Sequence, residues 1–279
     1  MDKTPVVMES GLAPVSYTDM LREKYGSMGF PAYEWTVNED APFQPLAKPL
    51  ADCRVSLLCS GGISLKSAPA WNPDARNDLR LDAIPADAPS DAFQVHDNYY
   101  NEENVKADLN CLFPIDRLRE LAADGTIGAV APRFWSGFMG RTYIRRKVRE
   151  EAAPAFAAEL KKDAVDLLVA VPACPLDHQT VGIVARVVEE AGIPTVTVSV
   201  GRDISRLVRP PRTVFANFPM GAPFGRPGEV EMQRAILRDA LDLAATATEP
   251  GAFVDLTYDF GAAWEGTLGN MDPAYQKQK

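Results

Sequence analysis

Cys174 stands nearest to nucleophilic chemistry in this chain of 279 residues. It follows the apolar run Val165–Val171 and precedes a stretch in which Val181, Val184, Val187, Val188 and Ala191 share one helical face, with Gly192 as the stop. A thiol at such a strand-to-helix exit meets backbone N–H groups and the positive end of a helix dipole, which favour thiolate. The expectation is an ionised sulfur at the mouth of a crevice. His178, four residues on, is placed to add positive charge or shuttle a proton. Asp177 reads as the N-cap of a helix over 178–191, bonding to Gln179 or Thr180, and equally as a substrate contact. A free cysteine is often only a small buried hydrophobe, but its place after a strand favours chemistry here.

Three more stretches join it. Cys59-Ser60-Gly61-Gly62 closes the apolar run Val55–Cys59, and its glycines let backbone amides converge on an anion. Gly61 and Gly62, with the amides of the 178–191 helix, are expected to hold a substrate carboxylate, with Ser60, Gln179 and Thr180 lining its site. Ser136 in Arg133–Gly137 and Arg202 in Gly201-Arg202-Asp203 stand at two further exits. Arg202 and Lys66 are candidate carboxylate or phosphate clamps, against the commoner reading of solvated surface cations. His96 lies in a long irregular stretch, either as a loop residue or reaching in as an acid or ligand. Tyr99, Tyr100, Phe134 and Trp135 wall a pocket or fill the core. Cys59 and Cys174 also make a candidate pair of opposed thiol bases.

Several chemistries lack a motif. No G-x-G-x-x-G, G-x-x-x-x-G-K-[ST] or G-x-S-x-G occurs, which leaves nicotinamide binding, P-loop phosphate chemistry and nucleophile-elbow hydrolysis unsupported. The four cysteines include no C-x-x-C pair, and no spacing of Cys174, His178, Asp177 and His96 demands a metal. The expectation is no metal and no organic cofactor, with an external thiol or protein reductant supplying electrons.

Short apolar runs alternating with amphipathic stretches must position these residues. Strands are expected at 55–59, 127–131, 165–171, 195–200 and 213–216, and helices from Pro114 to near Gly125, over about 141–162 with a restart at Pro154, and over about 229–245. That alternation implies an α/β fold, a mostly parallel sheet flanked by helices in a Rossmann-like three-layer arrangement, with ligands beyond the C-terminal strand ends. Residues 1–52 read as an irregular N-terminal arm with one amphipathic stretch around Tyr17–Met28. Residues 53–250 read as the α/β domain, divisible into similar halves at about 140, and 251–279 as a C-terminal tail. The charge of −9 disfavours nucleic acid as a partner. No apolar run long enough for a membrane span and no secretory signal is visible, so a cytoplasmic protein is expected.

The stretches Cys111–Leu121, Pro172–Gly182 and Asn217–Gly225 resemble the B-component family of glycine, sarcosine, betaine and D-proline reductases, often selenoproteins. Weaker similarity runs through Ser60-Gly61-Gly62 and His96–Asn110. The resemblance implies a chalcogen nucleophile that attacks a carbon bearing a leaving group, and a partner protein that receives the adduct. Cys174 stands where the family commonly places selenocysteine or cysteine. Asp177 stands where many relatives carry a second cysteine, so resolution of an adduct would fall to Cys59, Cys111 or an external thiol.

The leading reading is thus a cysteine-dependent reductase-like enzyme cleaving a C–N, C–S or C–halogen bond of a small carboxylate, within a homo- or hetero-oligomer. In it Cys174 attacks and His178 protonates or activates. The alternatives are a cofactor-independent racemase, isomerase or lyase using Cys59 and Cys174, and a non-catalytic substrate-binding subunit of a reductase complex.

Overall fold

Residues 12–261 and Trp264 are described by the computed structural model. Helix α1 (Tyr17–Ser27) comes first, then strands β1 (Arg54–Cys59), β2 (Ile63–Leu65), β3 (Leu81–Pro85) and β4 (Phe93–Val95). Helices α2 (Glu103–Ala107) and α3 (Ile115–Ala123) precede β5 (Ala129–Val130) and β6 (Arg133–Gly137). A helix starts as α4 (Arg145–Lys147), widens through a π turn (Val148–Ala152) and continues as α5 (Ala153–Lys162). The order then runs β7 (Leu167–Val171), α6 (Pro175–Glu190), β8 (Thr195–Ser199), α7 (Arg202–Val208), β9 (Arg212–Phe215), α8 (Val230–Thr246) and β10 (Ala252–Asp255).

Eight strands make one sheet in the order β10-β9-β8-β7-β1-β6-β3, with β5 beside the start of β1. Every pairing in it is parallel except β3 with β6, and β2 with β4 forms a separate antiparallel pair. Helices α5, α6 and α7 pack as one layer, while α3 and α8 pack together as another. The protein is therefore α/β, with a mostly parallel sheet flanked by helices. Strands β7 and β8 are buried along their whole length, which is why they read as unbroken apolar or β-branched runs.

Four details differ from the sequence reading. Arg133–Gly137 is a strand, not a strand exit; the short β5 ends before Pro132, which has no N–H for the ladder, and pairing with β1 resumes in β6. Strand β3 lies inside the stretch read as irregular. As an antiparallel edge strand it buries only Ile84, so it carries no apolar run. Residues 252–255, read as the start of a tail, extend the sheet as its other edge. The helix after Cys174 starts at Pro175 rather than 178, because Pro at the first helical position is pre-organised and loses no needed N–H.

The arm is irregular, as its composition suggests, but it is tied to the body. Thr36 N–H donates to Gln179 Oε1 at 2.7 Å, and Gln44 N–H to Glu189 Oε1 at 2.6 Å. Glu189 in turn pairs with Arg212 at 2.8 Å, both side chains fully buried. Among the described residues no helix is long and apolar enough to cross a membrane.

Candidate functional site

Strands β1 and β7 lie side by side at the sheet centre, yet β1 leads to neighbours on one side and β7 to β8 on the other. Their C-terminal ends form the topological switch point, where open α/β sheets place their ligands. Ser60 leaves β1 there and Cys174 follows β7. Ser60 Oγ accepts the Ala173 N–H at 3.2 Å and stitches the two exits together.

Cys174 is the N-cap of α6, and Asp177 is its third residue, so Asp177 is not the N-cap expected from sequence. The two form a reciprocal capping box. Asp177 N–H points to the Cys174 sulfur, and Asp177 Oδ2 accepts the Cys174 N–H at 3.2 Å. Asp177 Oδ1 accepts the Gly140 N–H at 2.7 Å, and the nearby Ser60 and Cys174 side chains also favour its charged form. Burial still dominates over these donors and pushes the Asp177 carboxyl up to about 7.

The ionised sulfur expected at a crevice mouth is not what the structure holds. Cys174 is 1% exposed. Burial first, then the nearby Asp177 and Asp97 carboxylates, raise its thiol well above the ordinary range, overriding the helix terminus. The capping box sets the Asp177 carboxylate against that thiol, so the group placed to take its proton is a carboxylate.

His178 does not reach that sulfur. Its Nδ1 lies 2.7 Å from the Cys174 carbonyl oxygen, and Nε2 accepts the N–H groups of Gly201 at 3.0 Å and Val200 at 3.2 Å. Two donors on Nε2 place the proton on Nδ1, which donates to the carbonyl. The ring is buried and neutral, its pKa lowered to about 4 by desolvation. A Cβ on Gly201 would meet His178 Cδ2 at 2.9 Å, which is why the exit of β8 carries glycine here.

Other sequence candidates have structural partners. Gln179 holds Thr36 and donates to the Tyr33 hydroxyl at 2.7 Å, while the Thr180 hydroxyl turns back to the Leu176 carbonyl at 3.3 Å. Ser136 donates to the Ile63 carbonyl at 2.5 Å. Arg202 makes a double-pronged pair with Asp255 at 2.7 and 2.9 Å, tying α7 to β10, and the Lys66 ammonium donates to the Asp91 carbonyl. The Gly61 and Ser60 N–H groups point to the buried sulfur of Cys59, whose thiol burial also pushes up. Space above Gly61 and Gly62 is filled: Cβ atoms there would meet Leu112 Cδ2 at 2.4 Å and the His96 carbonyl oxygen at 2.2 Å. Gly62 has φ +65°, and His96 N–H donates to its carbonyl, so the turn packs against residue 96 instead of cradling an anion. Tyr100, whose hydroxyl donates to Gly61 O at 2.6 Å, sits over Gly221, where a Cβ would lie 2.1 Å from its ring.

A cavity of about 620 Å³ opens beside this cluster. Its walls include Tyr25, Tyr33, Tyr99, Arg141 and Leu176, with Lys24 and Arg76 also facing it. Cys174 lies close enough behind these walls to act electrostatically on the hydroxyls of Tyr25, Tyr33 and Tyr99. The Arg141 guanidinium donates to the Tyr99 hydroxyl and lies 5.5 Å from that ring's centre. Neither Cys59 nor Cys174 is among the walls, so the two thiols do not oppose each other across this space. Sequence reading missed Arg141, Tyr33 and Asp97, which come from the arm and long loops and carry no local pattern. Among the described residues no three His, Cys, Asp or Glu side chains converge as metal ligands.

Residues 15–173 match the family described as glycine/sarcosine/betaine reductase selenoprotein B. The D-proline reductase subunit gamma of Acetoanaerobium sticklandii is 35% identical over 218 residues, 78% of this chain and 89% of that protein. A glycine reductase complex component B subunit gamma from Carboxydothermus hydrogenoformans is 27% identical, covering 75% of this chain and 49% of its own length. The sarcosine reductase complex component B subunit beta of Peptoclostridium acidaminophilum is 25% identical, over 83% of this chain and 54% of its own. The chain thus spans about half the length of these glycine and sarcosine reductase relatives. No solved structure matches significantly.

Proposed function

Because the chain belongs to the glycine/sarcosine/betaine reductase selenoprotein B family, we propose that it is a subunit of a multi-component reductase complex in which Cys174 is the nucleophile toward a small amino acid. The observation that carries this reading is the reciprocal capping box that sets the Cys174 sulfur against Asp177, beside an aromatic cavity lined by cations. Arg141 and Arg76 suit a substrate carboxylate, and the tyrosine rings suit the apolar or cationic remainder. The sulfur gives its proton to Asp177 as it attacks, so it need not stand ionised beforehand. A carbon–sulfur bond forms as the bond to the leaving group breaks; the leaving group departs with that bond pair and takes up a proton. The resulting thioether then needs two electrons from a thiol or selenol of another component. His178 acts as a positioning residue, holding the Cys174 carbonyl and the start of α6.

D-proline is the first substrate to try, given the relative of that name. Intact-mass spectrometry of the protein with substrate and no reductant should find an adduct on Cys174, equal to the whole substrate when the leaving amine is tethered in a ring. Cys174→Ala should abolish both adduct and turnover, and Asp177→Asn should lower turnover about 10²–10⁴-fold, the span of general acid–base assistance. Full turnover in Cys174→Ala would end this reading. The burial of Cys174 favours one second reading, a subunit that binds substrate for a reactive group elsewhere in the complex. Tight substrate binding without an adduct, undiminished in Cys174→Ala, would select it.

A further inference from the structure

Three of the six large apolar side chains exposed among the described residues gather at one place. Met28, Phe30 and Tyr143, which are 52%, 57% and 44% exposed, all stand at the mouth of the aromatic cavity. Exposed apolar side chains scattered singly need no explanation, but a cluster around an opening marks a binding face. The two rings are held in place: Phe30 meets Tyr25 edge-on with 6.3 Å between centres, and Tyr143 lies 6.3 Å from Tyr33. A partner would find these anchors already ordered, at little further cost in side-chain freedom.

Cations surround this apolar centre. Lys24, Arg76 and Arg141 line the same cavity, where they outnumber the carboxylates of Glu34 and Asp74. Just beyond Tyr143, Arg145 donates to the Glu34 carbonyl at 2.9 Å and so sets α4 against the arm. Arg146 and Lys147 follow it, exposed to solvent. Arg146 reaches Glu150 at 3.1 Å, while Lys147 has no acidic partner among the described residues. The chain as a whole has the opposite sign, with a net charge of −9. An acidic partner is therefore repelled by most of the molecule and attracted here, which steers and orients its approach. A two-fold pair of this chain would set one basic rim against another, and a flat bilayer would not follow a concave mouth.

We propose that this basic, apolar-centred rim docks an acidic surface of another component of the reductase complex, with Met28, Phe30 and Tyr143 as anchors and Arg76, Arg146 and Lys147 as steering charges. The inference rests on the reading of the chain as a subunit of such a complex, and not on which atom is the nucleophile. A component seated there covers the mouth of the cavity and grips the arm, to which Met28 and Phe30 belong.

Titrations of the full chain against each other purified component of the complex test this. One component should bind, with an affinity that falls at least about tenfold when Phe30→Ser is combined with Tyr143→Ser. Its association should slow with added salt, and Arg146→Glu combined with Lys147→Glu should slow it at least about tenfold and flatten the salt dependence. Val254→Ser, which removes an exposed apolar side chain on the edge strand β10, should leave binding unchanged. Binding that ignores both double variants overturns the docking face while the subunit reading stands. Self-association in sedimentation, or binding to vesicles of phosphatidylserine and phosphatidylcholine, overturns the acidic partner as occupant if it is lost in Phe30→Ser with Tyr143→Ser. No binding by any component overturns the subunit reading and the docking face with it. Circular dichroism of each variant keeps a misfolded protein from being read as any of these outcomes.

Discussion

His178 and Asp177 are neighbours in sequence, and their buried states depend on pH with opposite signs. Desolvation holds the native imidazole neutral with a pKa near 4, against 6.5 when free. As pH falls from 6.5 to 4 the unfolded chain binds a proton that the native state refuses, and stability drops by on the order of 3 kcal/mol. The Asp177 carboxyl is pushed up from 3.8 to about 7. As pH rises through that window the unfolded carboxyl ionises first, so stability again drops, this time toward alkaline pH. The two slopes oppose each other in the wild-type protein. Asp177→Asn should therefore gain stability from pH 4 to 6.5, while His178→Gln should lose it, as read from urea midpoints across that range. Parallel profiles in the two variants would contradict these protonation states. The stretch Cys174-Pro175-Leu176-Asp177-His178 marked a candidate site in the sequence, but not who partners whom. What fixes His178 is an amide 23 residues away, and what holds Asp177 is one 37 residues away. No spacing rule connects them.

At the scale of elements, the buried strands were legible because both their faces are covered, while β3 and β10 were not, because edge strands need no apolar run. The arm posed a harder problem. Gln179 sits in the first turns of α6, where a polar side chain reads as a ligand contact, yet it serves Thr36 and Tyr33, more than 140 residues earlier. Glu189, near the end of the same helix, reads as surface charge but joins Arg212 and Gln44 in a dry cluster. The two attachments should separate on mutation. Glu189→Ala strands a buried guanidinium and should cost about 3–5 kcal/mol without altering ligand binding. Gln179→Ala should cost only about 1–3 kcal/mol but loosens Tyr33, a wall of the cavity, and should weaken substrate binding. Thermal melts and substrate titration of both variants check this; equal effects on binding would mean that the arm acts as one rigid piece.

For the molecule as a whole, family membership and the burial of Cys174 pose one question for the proposed reading: when does the sulfur meet carbon? All four cysteines are buried, so the free chain should react slowly with iodoacetamide at every one. Cys174 is buried and not among the cavity walls, which include Leu176 and the Tyr25, Tyr33 and Tyr99 rings, two of them from α1 and the arm. Beside the buried Tyr17 and Leu21, the arm's polar ties to α6 and α7 are mostly single hydrogen bonds to backbone groups, which a docking surface could outcompete more easily than it could open the sheet. On the proposed reading, in which Cys174 is the nucleophile of a multi-component complex, the sulfur should stay covered until a partner displaces the arm. Adding the other components should raise the labelling rate of Cys174 at least about tenfold, which needs only some 1.4 kcal/mol of favoured opening. Cys59 ends β1 and is fully buried, at an exit where the Tyr100 hydroxyl holds the Gly61 carbonyl, so its rate should stay unchanged. Peptide mass mapping after brief alkylation separates the two sites. Equal acceleration at both would mean that the partner loosens the whole fold. No acceleration at Cys174 would mean that its cover is permanent and that the reacting atom belongs to another subunit.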